Sequence, residues 1–531
     1  MKIDTQKTVE LLIDSIAFGG AGIGRIDLAE IRPDLAAASA SPSAPAKKMA
    51  VFVEGTVPGD RVLVRIGSDK RNYLIGYIVE FIQQSPLRIQ PRCLHFCACA
   101  QNPAGQDSRN SAPGKLLCGG CSLQSLSYED QLKIKEQHVR DAVSRIGGFD
   151  AGIVKPIIGC IEPWYYRNKM DFSFTRMFPP NPGLALTPGL STIPGVSGTP
   201  TLSLGLHMRR RHHDVVEVTE CFLMEPYIGE LVAKVRTHFQ QAENTLPEEM
   251  ELKSLIIRES KNTGETMVNL LADNARLIQE IKQVHPSELP SFLQDFKQLI
   301  LDFFAQNKKD LTSLYFTDTL NKKGQSNHST EYLLHGKPSI KEIMHRPDNT
   351  ELVFHISPQS FFQPNTRQAE ILYSQALNAA ALTGSETVFD LYCGAGTIGI
   401  FCANKAKKVY GIEISKAAVQ NAIQNAKDNH IENIEFYCGD TQKELDSKLI
   451  KIKDNPDLII LDPPRNGLEP GALQNIVQFK APRLVYISCN PTTQARDLRL
   501  FATHGYKLLS IQPVDMFPQT YHIESVAALS L

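Results

Sequence analysis

VFDLYCGAGTIGI, residues 388–400, joins an apolar run with an acid near its end to a glycine-rich turn and a second apolar run. This order is typical of a buried strand that turns into a helix at the edge of an α/β sheet. Gly394 and Gly396 let the backbone approach a bound ligand closely at that turn. The stretch therefore predicts a ligand site at the carboxyl edge of a parallel sheet.

Apolar strands and amphipathic helices alternate around this turn, from Asn365 towards the C-terminus. The pattern predicts strands at 386–391, 408–413, 433–437, 457–461 and 483–487, with helices at 365–382, 398–404, 415–429 and 469–478. Alternation at this spacing is typical of βαβ units. It predicts an α/β fold whose C-terminal part is a Rossmann-like, doubly wound and mostly parallel sheet.

An acid follows the glycine turn at the distance expected for a ribose contact. Glu413 ends the next strand, in VYGIEIS (409–415), where a carboxylate can accept two hydroxyl hydrogen bonds. Asp440 follows the strand after that one. The pattern D-x-x-C-G-x-G lacks the full G-x-G-x-x-G spacing of dinucleotide sites. It therefore favours S-adenosylmethionine over a dinucleotide as the cofactor.

Two further strand ends carry reactive side chains. DLIILDPPRNGL (457–468) places Asp462 at the end of one strand, and LVYISCNPTT (484–493) places Cys489 at the end of the next. A cysteine at a strand end is most often a small buried hydrophobic residue. Cys489, however, is expected on the same sheet edge as the glycine turn and Asp462, in a loop that leaves the thiol accessible. We therefore interpret Cys489 as a candidate nucleophile.

A thiol beside a methyl donor has a chemical use in pyrimidine methylation. C5 of a pyrimidine becomes nucleophilic only after a group adds to C6, and a thiolate can add there. A base must then remove the C5 proton so that elimination releases the thiol. Glu524, in MFPQTYHIESVA (516–527), is the candidate base because it begins a predicted strand, and His522 is its rival. Either residue could instead be a polar surface side chain.

The N-terminal part of the chain is predicted to form a small β-barrel or sandwich. Strand-type runs separated by glycine and proline turns lie at Thr8–Ile16, Met49–Val53, Arg61–Ile66 and Tyr73–Phe81. The range 60–92 holds six Lys or Arg against three acids, and small basic barrels often bind nucleic acids. A solvated strand face would give the same pattern. The 531 residues carry a net charge of only -1, which gives no global sign of a nucleic-acid partner.

The chain carries 11 cysteines, and five of them lie between residues 93 and 121. An odd total in a chain of this length does not suit a disulfide framework. The N-terminus lacks a signal-peptide pattern, and no apolar run approaches the roughly 18 residues of a membrane span. We therefore expect a cytoplasmic protein without membrane contact, in which clustered cysteines bind metal or do chemistry.

Taken together, the motifs resemble those of the RNA uridine-5-methyltransferases that carry a TRAM domain and a 4Fe–4S cluster. The resemblance covers essentially the whole chain. Its motifs are FFQPN (361–365), DLYCGAGTIGI (390–400), LDPPRNGL (461–468), YISCNPTT (486–493) and PQTYHIESV (518–526), beside the N-terminal barrel and the cysteine cluster. The resemblance implies that Cys489 is the nucleophile and that Glu524 is the general base.

The same resemblance implies the residues that contact S-adenosylmethionine. They are Gln363, Tyr392, Thr397, Glu413, Asp440 and Asp462. Asp462 matches the acid that lines the pocket for both the cofactor and the uracil. Thr397 and Asp440 depart from the family pattern, because some members have Asn at these positions.

The resemblance also implies four cysteine ligands for an iron–sulfur cluster. They are Cys93, Cys118, Cys121 and Cys221. The family spacing is interrupted here by 18 residues (100–117), which we interpret as an insertion, and Cys97 or Cys99 could replace Cys118. Spacing alone favours zinc, since four thiolates can also hold that ion. The remaining cysteines outside the catalytic candidate, interpreted as structural, are Cys160, Cys393, Cys402 and Cys438.

We expect three domains along the chain. They are a TRAM-like, OB-like β-barrel at 1–90, a mixed α+β iron–sulfur and RNA-binding domain at 91–350, and a methyltransferase domain at 351–531. Candidate RNA contacts combine cations that neutralise phosphates with aromatic rings that stack on unpaired bases. These candidates are Arg167, Lys169, Arg176 and Arg209–Arg211, with Trp164, Tyr165, Tyr166, Phe172 and Phe174. Phe172 and Phe174 share one strand face and could instead belong to the core.

The activity implied by the resemblance is formation of 5-methyluridine in RNA by a monomeric enzyme. The expected substrate is 23S ribosomal RNA, with the uridine in a single-stranded loop, and transfer RNA is the alternative. Two other functions are weaker. A non-catalytic iron–sulfur RNA-binding protein would need neither Cys489 nor Glu524, and N-methylation of an exocyclic amine would leave Cys489 without a role.

Overall fold

The computed structural model describes residues 7–27, 48–70, 72–96, 118–177, 200–242, 246–247, 250–273, 289–320, 328–440 and 454–531. These residues form a closed barrel, two seven-stranded sheets and a two-stranded ribbon. Cys97 and Cys99, the alternative cluster ligands, lie outside the described residues. Within the described ranges, no helix combines the length and the apolar character that crossing a membrane requires.

The N-terminal strands close into a five-stranded barrel in the order β1-β2-β3-β5-β4. They are β1 Thr8–Ile16, β2 Gly22–Asp27, β3 Lys48–Val53, β4 Arg61–Asp69 and β5 Tyr73–Gln83. Alternate residues point inward, and Val51, Val62 and Leu74 are fully buried in the barrel core. Strand β2 falls where the sequence pattern indicates a turn. Its glycines allow close packing, since a Cβ at Gly22 would lie 2.0 Å from the Thr56 hydroxyl oxygen.

The central sheet has seven strands in the order β12-β11-β10-β9-β6-β7-β8. The strands are β6 Lys169–Met177, β7 Thr201–Met208, β8 Arg211–Val216, β9 Glu251–Glu259, β10 Thr266–Asp273, β11 Ser313–Leu320 and β12 His328–Gly336. Helices Pro226–Gln241 and Ser291–Gln306 pack on it through an apolar core. Phe172 and Phe174 are buried in that core, so they are not free to stack on bases.

The C-terminal sheet follows a two-stranded ribbon made of β13 Ile340–His345 and β14 Glu351–Ile356. Its strands are β15 Thr387–Leu391, β16 Lys408–Glu413, β17 Ile434–Cys438, β18 Leu458–Leu461, β19 Arg483–Ser488, β20 Lys507–Val514 and β21 Glu524–Ser530. Strands β15 to β19 are parallel, while β21 is antiparallel to both of its neighbours. The order β17-β16-β15-β18-β19-β21-β20 confirms the doubly wound, mostly parallel sheet and reverses direction at β15.

The helices of this sheet are Thr366–Ala380, Thr397–Cys402 with a 3-10 turn at Ala403–Lys405, Lys416–Asp428, Pro470–Gln478 and Pro491–Thr503. The last helix was not predicted from the sequence, and it begins two residues after Cys489, which lies in the bend that follows β19. Asn490 caps it, because its side chain accepts from the Thr492 N–H at 3.1 Å, and proline occupies the first helical position. The backbone of Cys489 therefore leads directly into a helix N-terminus.

One helix from the middle of the chain packs on the C-terminal sheet. It spans Tyr128–Ala142 and continues as a π-helical turn over Val143–Gly147, before a short 3-10 turn at Ala151–Ile153. Val139 and Val143 share the apolar core of that sheet. Lys135 on this helix is fully buried and forms an ion pair with the equally buried Asp515, at 2.6 Å. The N-terminal half of the chain thus reaches the segment that precedes Glu524.

Candidate active site

The turn after β15 holds its backbone in left-handed conformations. The φ values are 65° at Tyr392, 54° at Gly394 and 77° at Gly396. The N–H groups of Tyr392 and Cys393 both donate to the carbonyl of Ile412, at 2.9 and 3.1 Å. These bonds fix the turn against the end of β16. The predicted glycine turn and the predicted acid on the next strand are therefore neighbours in the structure.

Glu413 is held in place by the backbone around it. Its carboxylate accepts from the N–H of Gly394 at 3.1 Å and from the N–H of Ser415 at 2.8 Å. Carboxylate oxygens have further lone pairs, which can accept from ligand hydroxyl groups. Asp440 lies at the same sheet edge, because the preceding Gly439 donates its N–H to the Glu413 carbonyl at 2.9 Å.

Gln363 and Thr397 meet at the hydroxyl group of Tyr373. That hydroxyl lies 3.2 Å from Thr397 Oγ1, and the Gln363 side chain forms a hydrogen bond with it. Gln363 is buried, and its carbonyl accepts from the side-chain amide of Asn168 at 2.8 Å. The structure therefore brings Gln363 from FFQPN to the start of the helix that follows the glycine turn.

Asp390 is a buried acid that the sequence analysis did not single out as a site residue. It accepts from the N–H of Gly399 at 2.8 Å through Oδ2, and its buried Oδ1 has no hydrogen-bond partner among the described residues. Burial raises the pKa of Asp390 to about 8, and the charges of Asp462 and Glu413 act in the same direction. The site thus contains an acid that can carry a proton near neutral pH.

Asp462 lies between the glycine turn and the candidate nucleophile. Its N–H lies 3.4 Å from the carbonyl of Leu391, the last residue of β15. Its charge raises the pKa of Asp390 on one side, and of Cys489 and Glu524 on the other. Burial raises the pKa of Asp462 itself to about 7. Asp462 therefore links the two halves of the site electrostatically.

Strand pairing places Cys489 beside Glu524. Strands β19 and β21 are antiparallel, with Ser488 opposite Ser525, and the next position in this register sets Cys489 opposite Glu524. Directly opposed side chains lie on one face of a sheet, with Cβ atoms about 5 Å apart. Burial, and then the Glu524 charge, raise the pKa of Cys489 to about 12. Burial also raises the pKa of Glu524, which is 4% exposed, well above its usual value.

Arg465 is a residue of this site that the sequence analysis missed. Its exposed guanidinium lowers the pKa of both Cys489 and Glu524 and so opposes the effect of burial. Its carbonyl accepts from Asn490 Nδ2 at 3.1 Å and from Thr493 Oγ1 at 3.2 Å. The signal was present in LDPPRNGL, where a cation follows the acid of the strand end by three residues.

His522, the rival base, lies just before Glu524 but has a different electrostatic environment. Burial lowers its pKa to about 3, and the positive charge of Arg465 acts in the same direction. Its ring packs against that of Tyr521, with centroids 4.1 Å apart. An imidazole with so low a pKa is neutral at physiological pH and a weak proton acceptor. Of the two candidates, Glu524 has the higher proton affinity and the register position opposite the thiol.

The four predicted cluster ligands line one cavity of about 160 Å³. They are Cys93, Cys118, Cys121 and Cys221, and all four are free thiols. Arg167, Glu220 and Gln124 also line the cavity, which we call the cysteine cavity. Within the described ranges, no three His, Cys, Asp or Glu side chains are placed to bind one metal ion. The four thiols therefore line a common cavity, but they are not arranged as the ligands of a single metal ion.

The four cysteines interpreted as structural lie outside this cavity. Cys160, Cys393 and Cys402 are buried, and the half-buried Cys438 donates from Sγ to the carbonyl of Ile414 at 3.5 Å. These contacts are of the kind that packed cysteines make.

Three of the arginines proposed to contact RNA, Arg209–Arg211, form bonds with other residues of the chain. The guanidinium of Arg209 donates to the Cys121 carbonyl, Arg210 pairs with Glu54 of the barrel at 2.7 Å, and Arg211 pairs with Asp214 at 3.0 Å. Arg209 and Arg210 therefore connect the central sheet with the cysteine cavity and with the barrel. Their role in RNA binding remains a prediction.

A cation among aromatic rings stands next to the cysteine cavity. The exposed Arg92 lies 4.2 Å from the ring centroid of Phe222, 5.4 Å from that of Trp164 and 5.2 Å from that of Tyr165. Its guanidinium also donates to the Tyr165 hydroxyl at 2.9 Å. Trp164 and Tyr165 are among the RNA candidates predicted from the sequence, whereas Arg92, just before the first cluster cysteine, was counted only in the basic excess of the range 60–92 and was not linked to them.

The raised pKa of Cys489 has a direct consequence for its reactivity. At pH 8 a thiol with a pKa of about 12 is ionised to about one part in 10⁴, against roughly one quarter for a free cysteine. We expect iodoacetamide to alkylate Cys489 in the ligand-free protein about 10³-fold more slowly than in the protein unfolded by guanidinium. The rate should rise about tenfold per pH unit between pH 7 and pH 9.

Peptide mass spectrometry measures this rate for Cys489 separately from the other thiols. Removing the neighbouring negative charge, with Glu524→Gln, should speed alkylation, whereas removing the positive charge of Arg465, with Arg465→Ala, should slow it. Equal rates in folded and unfolded protein at pH 8 would contradict the electrostatics described above.

Fold and site together define a class of protein. A doubly wound sheet with a glycine turn at its switch point is the architecture of a methyltransferase fold, and here a thiol and a carboxyl lie close together at the same sheet edge. The family described as tRNA (uracil-5-)-methyltransferase matches residues 296–530, and the TRAM domain matches residues 5–79.

Relatives of similar length extend the match to the whole chain. An uncharacterised RNA methyltransferase of Caldanaerobacter subterraneus is 33% identical over 99% of this chain and 98% of its own length. One of Halalkalibacterium halodurans is 32% identical over 100% and 98%. The chain therefore belongs to the RNA uracil-5-methyltransferase family and is an RNA methyltransferase with an N-terminal TRAM domain.

A solved structure supports the fold. The chain resembles the tRNA (uracil-54, C5)-methyltransferase of Pyrococcus abyssi, determined in complex with S-adenosyl-L-homocysteine, with a TM-score of 0.61. The two share 22% identity, and the match covers 98% of this chain and 100% of the other. At this identity the likeness concerns the arrangement of strands and helices.

Proposed function

We propose that this protein transfers a methyl group from S-adenosylmethionine to C5 of a uridine in RNA, with Cys489 as nucleophile and Glu524 as general base. The observation that carries the proposal is the closeness of Cys489 to Glu524. The last residue pair of β19 and β21 is Ser488 with Ser525, the neighbours of these two residues in the chain, and the Glu524 charge raises the pKa of the Cys489 thiol. Family membership supports uracil C5 as the methylated atom. Asp462 joins this pair to the glycine turn, so both substrates have adjoining sites.

The residues around the glycine turn fit S-adenosylmethionine. Glu413, fixed by two N–H groups, leaves oxygen lone pairs for the ribose hydroxyls. Gly394 has a positive φ, and a Cβ there would meet no neighbouring atom, so the backbone at this position leaves room for a ligand. We assign the remaining contacts to Gln363, Tyr392, Thr397, Asp440 and Asp462. The cofactor supplies an electrophilic methyl group on a sulfonium centre.

The first half of the reaction belongs to Cys489. Its thiolate adds to C6 of the uracil, and the C5–C6 π electrons move towards the C4 carbonyl as an enolate. C5 then carries the electron pair that bonds to the methyl carbon. The bond between that carbon and the sulfonium sulfur breaks, its electrons stay on sulfur, and S-adenosylhomocysteine is the leaving group. The positive charge of Arg465 and the N-terminus of helix Pro491–Thr503 both stabilise a negative sulfur at this place.

The second half of the reaction belongs to Glu524. As a carboxylate it takes the proton from C5, the C5–C6 double bond reforms, and the thiolate leaves C6. A buried carboxyl with a raised pKa is a stronger base than an exposed one once it is ionised. The same shift means that the carboxylate fraction falls as pH falls, so elimination slows towards acid pH.

We propose 23S ribosomal RNA as the substrate and transfer RNA as the alternative. The TRAM match and the cysteine cavity support the first proposal, since the sequence resembles cluster-bearing enzymes of that type. The description of the matched family, which names tRNA, favours the second. The proposed RNA surface has two parts. One is Arg92 with the aromatic rings around it, next to the cysteine cavity, and the other is the barrel, which the Arg210–Glu54 ion pair joins to the central sheet. Assays with fragments of 23S RNA and with unmodified tRNA distinguish the two.

We further propose that the cysteine cavity holds a 4Fe–4S cluster bound by Cys93, Cys118, Cys121 and Cys221. Four buried or half-buried thiols around about 160 Å³ fit a multi-atom cluster better than one zinc ion. Methyl transfer needs no electrons, so the cluster's role would be structural. The cysteines of the described residues are free thiols, as in proteins of the reducing cytoplasm. We propose that the protein is located there and that it is a monomer.

Cys121→Ser is expected to remove the cluster and the structure around it. Iron and acid-labile sulfide should fall well below four per chain in protein prepared anaerobically, and Tm should fall by about 5 °C or more because ligand binding contributes to folding. RNA affinity should weaken, as a filter-binding assay would show. Cys438→Ser, which changes a half-buried thiol away from the cavity, is the matched control. Full metal content and full activity in Cys121→Ser would contradict the assignment.

The experiment that tests the proposed function is a mechanism-based trap. RNA that contains 5-fluorouridine has no C5 proton, so elimination cannot follow methyl transfer. Incubation with S-adenosylmethionine should give a covalent RNA–protein adduct that survives denaturing electrophoresis, with the RNA attached at Cys489. A protein that only binds RNA would form no adduct, and absence of the adduct with both RNA substrates would refute the proposal.

A further inference from the structure

The segment that leads into Glu524 is fixed by residues far away in sequence. Residues 515–523, here called the strap, connect β20 to β21 and end immediately before Glu524. At its start, the Asp515 carboxylate accepts from Lys135 Nζ at 2.6 Å and from the Tyr128 hydroxyl at 2.9 Å. Lys135 also donates to the carbonyl of Phe517 at 3.0 Å. The helix Tyr128–Ala142 therefore determines where the strap begins.

Gln519 is the centre of a second set of contacts in the middle of the strap. It is 3% exposed and lies opposite the 1% exposed Gln131. Gln131 Nε2 donates to Gln519 Oε1, and the Gln519 N–H donates to Gln131 Oε1, both at 3.0 Å. The Gln519 carbonyl accepts two further N–H groups, from Ser122 at 2.9 Å and Leu123 at 3.0 Å. Its backbone N–H, its backbone carbonyl and its side-chain oxygen are thus all bonded to the region 122–131.

The backbone of Gln519 shows that these contacts impose a conformation. Its φ is 69°, in the left-handed region that residues other than glycine rarely adopt. Such a conformation persists when surrounding bonds over-determine it. Ser122 and Leu123, which hold the carbonyl, directly follow Cys121 of the cysteine cavity. The strap is therefore bent by the loop that leaves that cavity.

We propose that Gln519 is a positioning residue, which with Gln131 holds the strap so that the Glu524 carboxyl reaches the C5 proton. This inference rests on the proposed function. Cys489 lies on a different segment, where its neighbour Asn490 is bonded to the Arg465 carbonyl and to the start of a helix. Loss of the Gln519–Gln131 pair should therefore displace the base and leave the nucleophile in place.

The two half-reactions separate this role from a general loss of stability. Adduct formation with 5-fluorouridine RNA needs Cys489, whereas release of ordinary methylated RNA also needs Glu524. For Gln519→Ala and Gln131→Ala, the rate of 5-fluorouridine adduct formation should stay within about twofold of wild type. Turnover on ordinary RNA should fall about 10- to 100-fold, because a displacement of about 1 Å costs this much. A methylated covalent adduct with ordinary uridine should accumulate.

Gln131→Ala matters because it leaves the backbone and sequence of the strap unchanged, while Gln519→Ala alters a strained residue. Gln131→Ala removes both hydrogen bonds of the pair and Gln519→Ala removes one of them, so the double variant should be no slower than Gln131→Ala alone. Asn269→Ala is the control. It deletes a buried amide that accepts from Thr317 Oγ1 at 3.0 Å in the central sheet, and it should change neither half-reaction by more than about twofold.

The outcomes distinguish this inference from the proposal beneath it. If wild-type protein traps 5-fluorouridine RNA but Gln519→Ala and Gln131→Ala slow trapping as much as turnover, the pair has a general structural role and the inference is wrong. The same conclusion follows if Asn269→Ala accumulates as much adduct as they do. If wild-type protein traps neither RNA, the proposed function falls, and the positioning role falls with it.

Discussion

Cys489→Ala is expected to abolish methylation of RNA, with a loss of at least about four orders of magnitude in turnover. Without the thiolate, C5 of uracil stays a poor nucleophile, and the methyl donor and the base have no activated carbon to act on. Transfer of a radiolabelled methyl group to RNA is the direct measurement. The 5-fluorouridine adduct should disappear completely in the same variant.

The variant must be inactive without being unfolded. Cys489 is half-buried, so its truncation should leave Tm within a few degrees, and affinity for RNA and for S-adenosylhomocysteine should stay within about threefold. Cys438→Ala removes another half-buried thiol, at the end of β17, and should keep most of the activity. Turnover above about 1% of wild type in Cys489→Ala would place the nucleophile elsewhere.

Parallel strands explain how far the sequence could lead. Buried apolar runs of four to six residues have a clear pattern, and their carboxyl ends meet at one edge whatever the strand order. That rule alone brings Glu413, Asp462 and Cys489 to a common edge, and the structure confirms the sheet they lie on. These site residues could be predicted because their position at the sheet edge does not depend on which strands are neighbours.

The parts that the sequence pattern did not give depend on long-range packing. The closeness of Cys489 and Glu524 follows from an antiparallel register between strands more than 30 residues apart. The buried pair of Lys135 and Asp515 joins residues 380 positions apart, and no local periodicity encodes it. The cysteine cavity is similar, since only a family resemblance connected Cys221 with the cysteines between residues 93 and 121.

Other features that were not predicted have a local sequence pattern, but the same pattern is also typical of a different structure. Asn490-Pro491 begins a helix, yet the same dipeptide is typical of a turn. Gly22 and Gly24 indicate a turn by composition, although in the barrel they are the residues small enough for close strand contacts. In the sequence, Arg465 cannot be distinguished from an ordinary surface cation. Only the folded sheet edge brings it close enough to lower the pKa of the Cys489 thiol.

Glu524→Gln is expected to stop the reaction after methyl transfer and before release. The amide is nearly isosteric with the carboxyl but cannot accept the C5 proton, so the methylated uracil stays bonded to Cys489. Turnover should fall about 10³-fold or more, while one methyl group per protein is still transferred. Denaturing electrophoresis with ordinary RNA should show a stable adduct, which Cys489→Ala/Glu524→Gln should lack.

The comparison with His522 decides which residue is the base. His522→Gln should leave no adduct on ordinary RNA, because an imidazole with a pKa of about 3 contributes little as a proton acceptor at neutral pH. If His522→Gln accumulates the adduct and Glu524→Gln turns over, the assignment of the base is wrong.

In wild-type protein, adduct breakdown should slow as pH falls, because a raised pKa means that Glu524 is protonated at a higher pH than an exposed glutamate. Adduct formation also depends on ionisation of Cys489, so only single-turnover measurement of each half-reaction can separate the two titrations.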